Sequence, residues 1–123
     1  PPAEIEKLAG VIIEGGNLAL ETAKPGVTCE EVEAVFQKTI KRHGYQKNSR
    51  VGYSIGLNFP PDWGERTASL RAGDTTVLQE GMCFHFQSGV WLSEYGAAIS
   101  EPFVVTASGG ERLCNVSREL VLK

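Results

Sequence analysis

The periodicity of the apolar residues changes once along this chain, near Ser49, and that change limits the folds open to it. Before it, Ile5, Leu8, Ala9, Ile12, Ile13, Leu20 and Ala23 recur at three- and four-residue spacing, the pattern of an amphipathic helix. Lys24-Pro25-Gly26 closes that helix, because proline cannot continue it. Gly15-Gly16 lies inside it at a cost of about 1 kcal/mol per glycine relative to alanine. Close packing against a neighbouring element is the preferred reading there, ahead of a hinge. A second helix opens at Thr28-Cys29-Glu30-Glu31, which fits a capping box, and buries Val32, Val35, Phe36 and Ile40. Lys41, Arg42 and His43 fall in its last turn, where cations favour the helix dipole, and Gly44 suits the residue just past the end. His43 is read as a solvated helix-end residue.

Beyond Ser49 the period is 2. Val51, Tyr53, Ile55 and Leu57 alternate with small residues, and Met82, Phe84 and Phe86 alternate with Cys83, His85 and Gln87. Shorter runs occur at Val90–Leu92, Phe103–Thr106, Glu111–Leu113 and Leu120–Leu122, separated by turn signals such as Glu80-Gly81 and Ser108-Gly109-Gly110. Two helices followed by closely spaced strands predict an α+β layer, with the helices on one face of an antiparallel or mixed sheet. The 123 residues form at most one domain, residues 1–123. The segment Asn58–Arg71 has no clear period and reads as a functional or interfacial loop.

Composition removes several classes of function. The formal net charge is −3 and the densest basic run is Lys41-Arg42-His43, which disfavours nucleic acid as a partner. No apolar run approaches membrane-spanning length. Cys29, Cys83 and Cys114 are far apart, without metal-like spacing, and suit a reducing, cytoplasmic setting; they are read as structural or incidental. Asn115-Val116-Ser117 fits a glycosylation triplet and is read as chance. The chain opens Pro1-Pro2 without Met and without a basic segment ahead of an apolar one, so a piece of a longer protein is expected.

Three places carry candidate chemistry. Tyr53 is flanked by Gly52 and, beyond Ser54-Ile55, by Gly56, so it is either a cross-strand tyrosine or part of a surface that a ligand approaches closely. His85 and Gln87 point away from Met82, Phe84 and Phe86, onto a face that is either solvated or lines a pocket. In Asp62-Trp63-Gly64-Glu65-Arg66, with Arg71 beyond, an arginine beside a tryptophan suits a small carboxylate, whereas a local ion pair with Glu65 is the plainer reading.

The order of motifs resembles the C-terminal half of the catalytic domain of the "pita-bread" enzymes: creatinase, proline-specific aminopeptidases and dipeptidases, and methionine aminopeptidase. Lys24-Pro25-Gly26-Val27-Thr28 is similar to that family's post-helix turn. Gly52-Tyr53-Ser54-Ile55-Gly56-Leu57 resembles its Gly-His-Gly-Ile-Gly-Leu strand, and Gly81–Gly89 resembles its Gly-Met-Val-Phe-Thr-Ile-Glu-Pro-Gly strand. Ile99-Ser100-Glu101 resembles its Ile-Glu-Asp segment, and Phe103–Thr106 with Gly109-Gly110 resembles its Val-Leu-Val-Thr run and glycine turn. The resemblance implies two helices packed on a curved, mainly antiparallel sheet. Metal-dependent members carry a His in the first strand and a Glu in each of the later two; here those positions read Tyr53, Gln87 and Ser100, so no metal ligand and no cofactor is expected.

Gly52–Thr67 and the ending Leu113–Arg118 resemble ectoine hydrolase and its relatives in the creatinase group. That implies a metal-independent hydrolase that opens a C–N bond in a small zwitterion, incomplete in this chain alone. The resemblance places Arg66 on a substrate carboxylate and Trp63 as a wall. Tyr53, His85 and Gln87 line the pocket, with His85 and Glu101 as the catalytic candidates. It also implies a homodimer with a small-molecule substrate. The alternatives are a metal-dependent Xaa-Pro peptidase and a non-catalytic module that binds peptides or proteins.

Overall fold

A computed structural model of the chain describes residues 3–55 and 68–113. Helix α1 spans Ala3–Thr22 and buries Leu8, Val11, Ile12, Ala19 and Leu20. Helix α2 spans Cys29–Arg42 and buries Cys29, Val32, Phe36 and Ile40. The capping box is formed: the Glu31 amide donates to Thr28 Oγ1 at 3.4 Å, and the Thr28 amide donates to Glu31 Oε2 at 3.0 Å. Past the C-cap His43, the Gly44 amide reaches Lys41 O and the Tyr45 amide reaches Ile40 O, with Gly44 at φ +89°. That double bond pattern ends a helix with a left-handed residue. Gly15 of the glycine pair in α1 is a contact: a Cβ on it would stand 2.9 Å from Phe36 Cδ2, so the two helices pack closely there. Arg42 and His43 reach across to Glu14 of α1 at 2.9 and 3.5 Å.

The strands are β1 (Gly52–Ser54), β2 (Ser69–Leu70), β3 (Cys83–Gln87), β4 (Val90–Trp91), β5 (Gly96–Ala97), β6 (Ser100–Thr106) and β7 (Gly109–Arg112). Five of them form an antiparallel sheet in the order β2-β1-β3-β6-β7, and β4 and β5 pair separately. Alternation along β3 and β6 sends Phe84, Phe86, Phe103 and Val105 to the helix side, where they are buried. There Phe84 stacks on Phe103 at 5.6 Å and Phe36 of α2 meets Phe86 edge-on at 5.8 Å. The C-terminal end of α1 lies close over β7: a Cβ on Gly110 would stand 2.9 Å from the Phe103 ring and 3.0 Å from Leu20 Cδ2.

Three details differ from the expectation. Ser69–Leu70, inside the segment read as a loop, is an edge strand held by Val51 N to Leu70 O at 2.8 Å and Ser54 N to Ala68 O at 3.0 Å. A two-residue strand is too short to show a period. Gly96–Ala97 forms β5, unforeseen for the same reason. Strand β6 begins at Ser100, three residues before the expected start, and runs through Pro102. Pro102 O accepts from Leu113 N at 3.1 Å, so its nitrogen faces the β7 side, where that strand has ended at Arg112 and no amide is needed. The run Leu120–Leu122 and the triplet Asn115-Val116-Ser117 lie outside the described residues. Among those described, no helix is long and apolar enough to cross a membrane.

Candidate functional site

The face of the sheet turned away from the helices is built by register. Tyr53 pairs with Ser69 on one side and His85 on the other, His85 pairs with Pro102, and Gln87 pairs with Ser100. Residues directly opposite in antiparallel strands share a face, so Ser69, Tyr53, His85 and Pro102 make one row and Gln87 and Ser100 the next. The Tyr53 and His85 rings stack with centroids 5.3 Å apart and planes 24° apart. Gly52 lets the strands close up here, since a Cβ on it would lie 2.8 Å from both His85 O and Leu70 Cδ1. Burial of the imidazole holds the His85 pKa below its ordinary 6.5. His85 is therefore neutral near pH 7 and offers one N–H and one lone pair, the form that accepts a proton.

Arg50 completes this surface, and sequence reasoning passed over it. Its guanidinium carbon lies 4.4 Å from the centre of the Tyr53 ring, and its Nη1 donates to Ser69 Oγ at 3.2 Å. A guanidinium over an aromatic face is attracted by the ring quadrupole. The available signal was an arginine just ahead of the strand that carries a glycine-flanked tyrosine.

Glu101 is not part of this face. It pairs with Phe86 and so points to the helix side, where it is 5% exposed and accepts from Arg112 Nε at 2.5 Å. The period of 2 that puts Ser100 and Pro102 beside Gln87 and His85 must send Glu101 through the sheet. The structure thus places Glu101, named with His85 as a catalytic candidate, on the other side of the sheet from His85, in a buried ion pair with Arg112. Trp63 and Arg66 lie outside the described residues. Cys29 is buried and burial pushes its thiol up to about 11, so it stays protonated and behaves as a small apolar residue.

The family model of metallopeptidase family M24 matches residues 1–107. The chain belongs to that family. It is 47% identical over 123 residues to a Sinorhizobium fredii protein named "Uncharacterized hydrolase/peptidase y4tM", covering 100% of this chain and 31% of that protein. It is 40% identical over 124 residues to ectoine hydrolase of Halomonas elongata, covering 100% of this chain and 31% of that enzyme. The prolidase of Pyrococcus horikoshii superposes with a TM-score of 0.88 at 28% identity, over 98% of this chain and 34% of the prolidase. The chain thus spans about a third of the length of the relatives it matches, and the expected packing of two helices on a mainly antiparallel sheet is shared with the prolidase.

Membership of M24 implies a metal, and the donors on this face do not fit one. Tyr53, Gln87 and Ser100 share the face as the resemblance requires, but they offer a phenol, an amide and a hydroxyl. Divalent ions in such sites are held by carboxylates and neutral imidazoles, whose charge and basicity these groups lack. Among the described residues no group of three His, Cys, Asp or Glu side chains stands close enough to hold an ion.

Proposed function

We propose that this M24 chain forms part of a hydrolase that opens a C–N bond in a small zwitterion of ectoine's class, without a bound metal ion. One observation carries the reading: the positions where metal-dependent relatives hold His, Glu and Glu are occupied on one face by Tyr53, Gln87 and Ser100, around a neutral His85. The 40% identity with an ectoine hydrolase supports the substrate class. In this reading the His85 lone pair accepts a proton from the water that attacks the amidine carbon, and returns it to the departing nitrogen as the C–N bond breaks. Tyr53, Gln87 and Ser100 donate or accept hydrogen bonds that orient the ring. This chain supplies part of the pocket in this reading, as it spans about a third of the length of its relatives.

The test is turnover by the full-length protein with and without a chelator. Release of a free amine from ectoine that survives dialysis against EDTA supports the reading. Chelator-sensitive cleavage of an Xaa-Pro dipeptide, with ectoine untouched, would establish the metallopeptidase alternative; the likeness to prolidase is what favours that second reading.

A further inference from the structure

Where β1 begins and β2 ends, α2 and the incoming loop leave a cavity of ≈ 440 Å³ beside the candidate site. Its walls include Arg50, Arg71, Lys47 and Glu33. Two backbone bonds fix the arginines as neighbours: Val51 N donates to Leu70 O at 2.8 Å, and Arg71 N donates to Ser69 O at 3.0 Å. The turn that carries Arg71 is pinned from behind. Asp74 Oδ2 accepts from Ser69 N at 2.7 Å and its Oδ1 from Thr76 N at 2.9 Å, so that carboxylate is occupied by backbone. Among the described residues neither Arg50 nor Arg71 has a carboxylate within ion-pair distance. Lys47 also lines the cavity, and its ammonium donates to Gly89 O at 2.8 Å and Ser49 Oγ at 2.9 Å. Arg71 also feels the Asp74 carboxylate behind the turn, so three cations stand against two carboxylates, Glu33 in the wall and Asp74 behind it, and the balance stays positive.

We propose that this cavity is a carboxylate-binding subsite, in which Arg50 and Arg71 hold the anionic end of the zwitterion whose ring lies over Tyr53 and His85. The proposal rests on the substrate class proposed above. Arg50 links the two regions, since its guanidinium carbon lies 4.4 Å from the centre of the Tyr53 ring and the residue lines the cavity. A guanidinium fork matches a carboxylate with two parallel bonds, and a contact with the ring face is not a hydrogen bond, so donors beyond the one Nη1 bond to Ser69 Oγ remain for a ligand. Glu33, 8% exposed on the α2 wall, makes the cavity poorer for a dianion such as phosphate than for a monoanion. Arg66, which the sequence placed on the substrate carboxylate, becomes the comparison.

The experiment uses the full-length protein and trifluoroacetate as a carboxylate probe, read by its ¹⁹F line width, with trifluoroethanol as the uncharged control. Arg50→Gln and Arg71→Gln each weaken trifluoroacetate binding about fivefold or more and leave trifluoroethanol unchanged, as expected when one arm of a charged clamp is removed. Arg50→Lys, which keeps the charge and loses the fork, falls between. Circular dichroism melts of all variants match wild type if folding is intact. With ectoine, Arg71→Gln raises KM by about tenfold, with the larger share of the lost efficiency in KM rather than kcat. Wild-type line widths in both glutamine variants would overturn the subsite, as would dependence on Arg66 alone or tighter competition by inorganic phosphate than by acetate. If the wild type turns over no ectoine while trifluoroacetate binding still disappears in both variants, the substrate reading falls and the carboxylate site stands.

Discussion

Ser100 and Glu101 are neighbours in sequence and stand on opposite sides of the sheet. Ser100 is exposed beside Gln87, whereas Glu101 is buried against Phe86 and bonded to Arg112. A carboxylate in that setting holds structure. Glu101→Ala leaves the Arg112 guanidinium without this partner in a half-buried place, and costs about 2–3 kcal/mol in urea unfolding. The pH profile of any activity keeps its shape in that variant. His85 behaves oppositely. Its folded pKa lies below the unfolded one, so between the two the unfolded chain binds more protons and stability rises with pH. The stability present above pH 6.5 is therefore lost as pH falls through the folded value. In His85→Asn that part of the pH dependence disappears, and proton-linked turnover goes with it. Urea midpoints taken between about pH 5 and 8 show whether it does. Arg50 was not legible because its partners, Tyr53 and Ser69, meet it only through the folded sheet.

At the scale of elements, the helices were legible because their signals are local. Thr28 and Glu31 cap α2 as their spacing requires, and Gly44 ends it. Thr28→Ala costs about 1 kcal/mol of stability, measured by thermal or urea unfolding. Gly15→Ala tests whether propensity or packing governs α1. Alanine gains about 1 kcal/mol of helix propensity but drives a methyl into Phe36, an overpacking cost of about 1–3 kcal/mol. The expected net result is a lower melting temperature, which Phe36→Leu in the same chain partly relieves. Strands β3 and β6 were legible through their alternation, and with them the shared face of His85 and Gln87. Strands β2 and β5 were not, being two residues each, and Pro102 hid the first half of β6 until its position beside the end of β7 was known.

For the whole molecule, a chain about a third the length of its relatives carries a five-stranded sheet, a separate two-stranded pair and two helices, with the candidate face on the larger sheet. The homodimer expected from the resemblance is carried forward as a proposal, and light scattering on the full-length protein after size exclusion reads it as twice the chain mass. Tyr53, Gln87 and Ser100 stand around His85 at the positions to which the resemblance assigns the metal ligands of metal-dependent members. Elemental analysis of the full-length protein, purified and then incubated with excess Mn²⁺ and desalted, tests metal independence most directly. Far less than one metal ion per chain is expected, with turnover of ectoine unchanged. One or two tightly held ions per chain, removable by chelation together with activity, would contradict it.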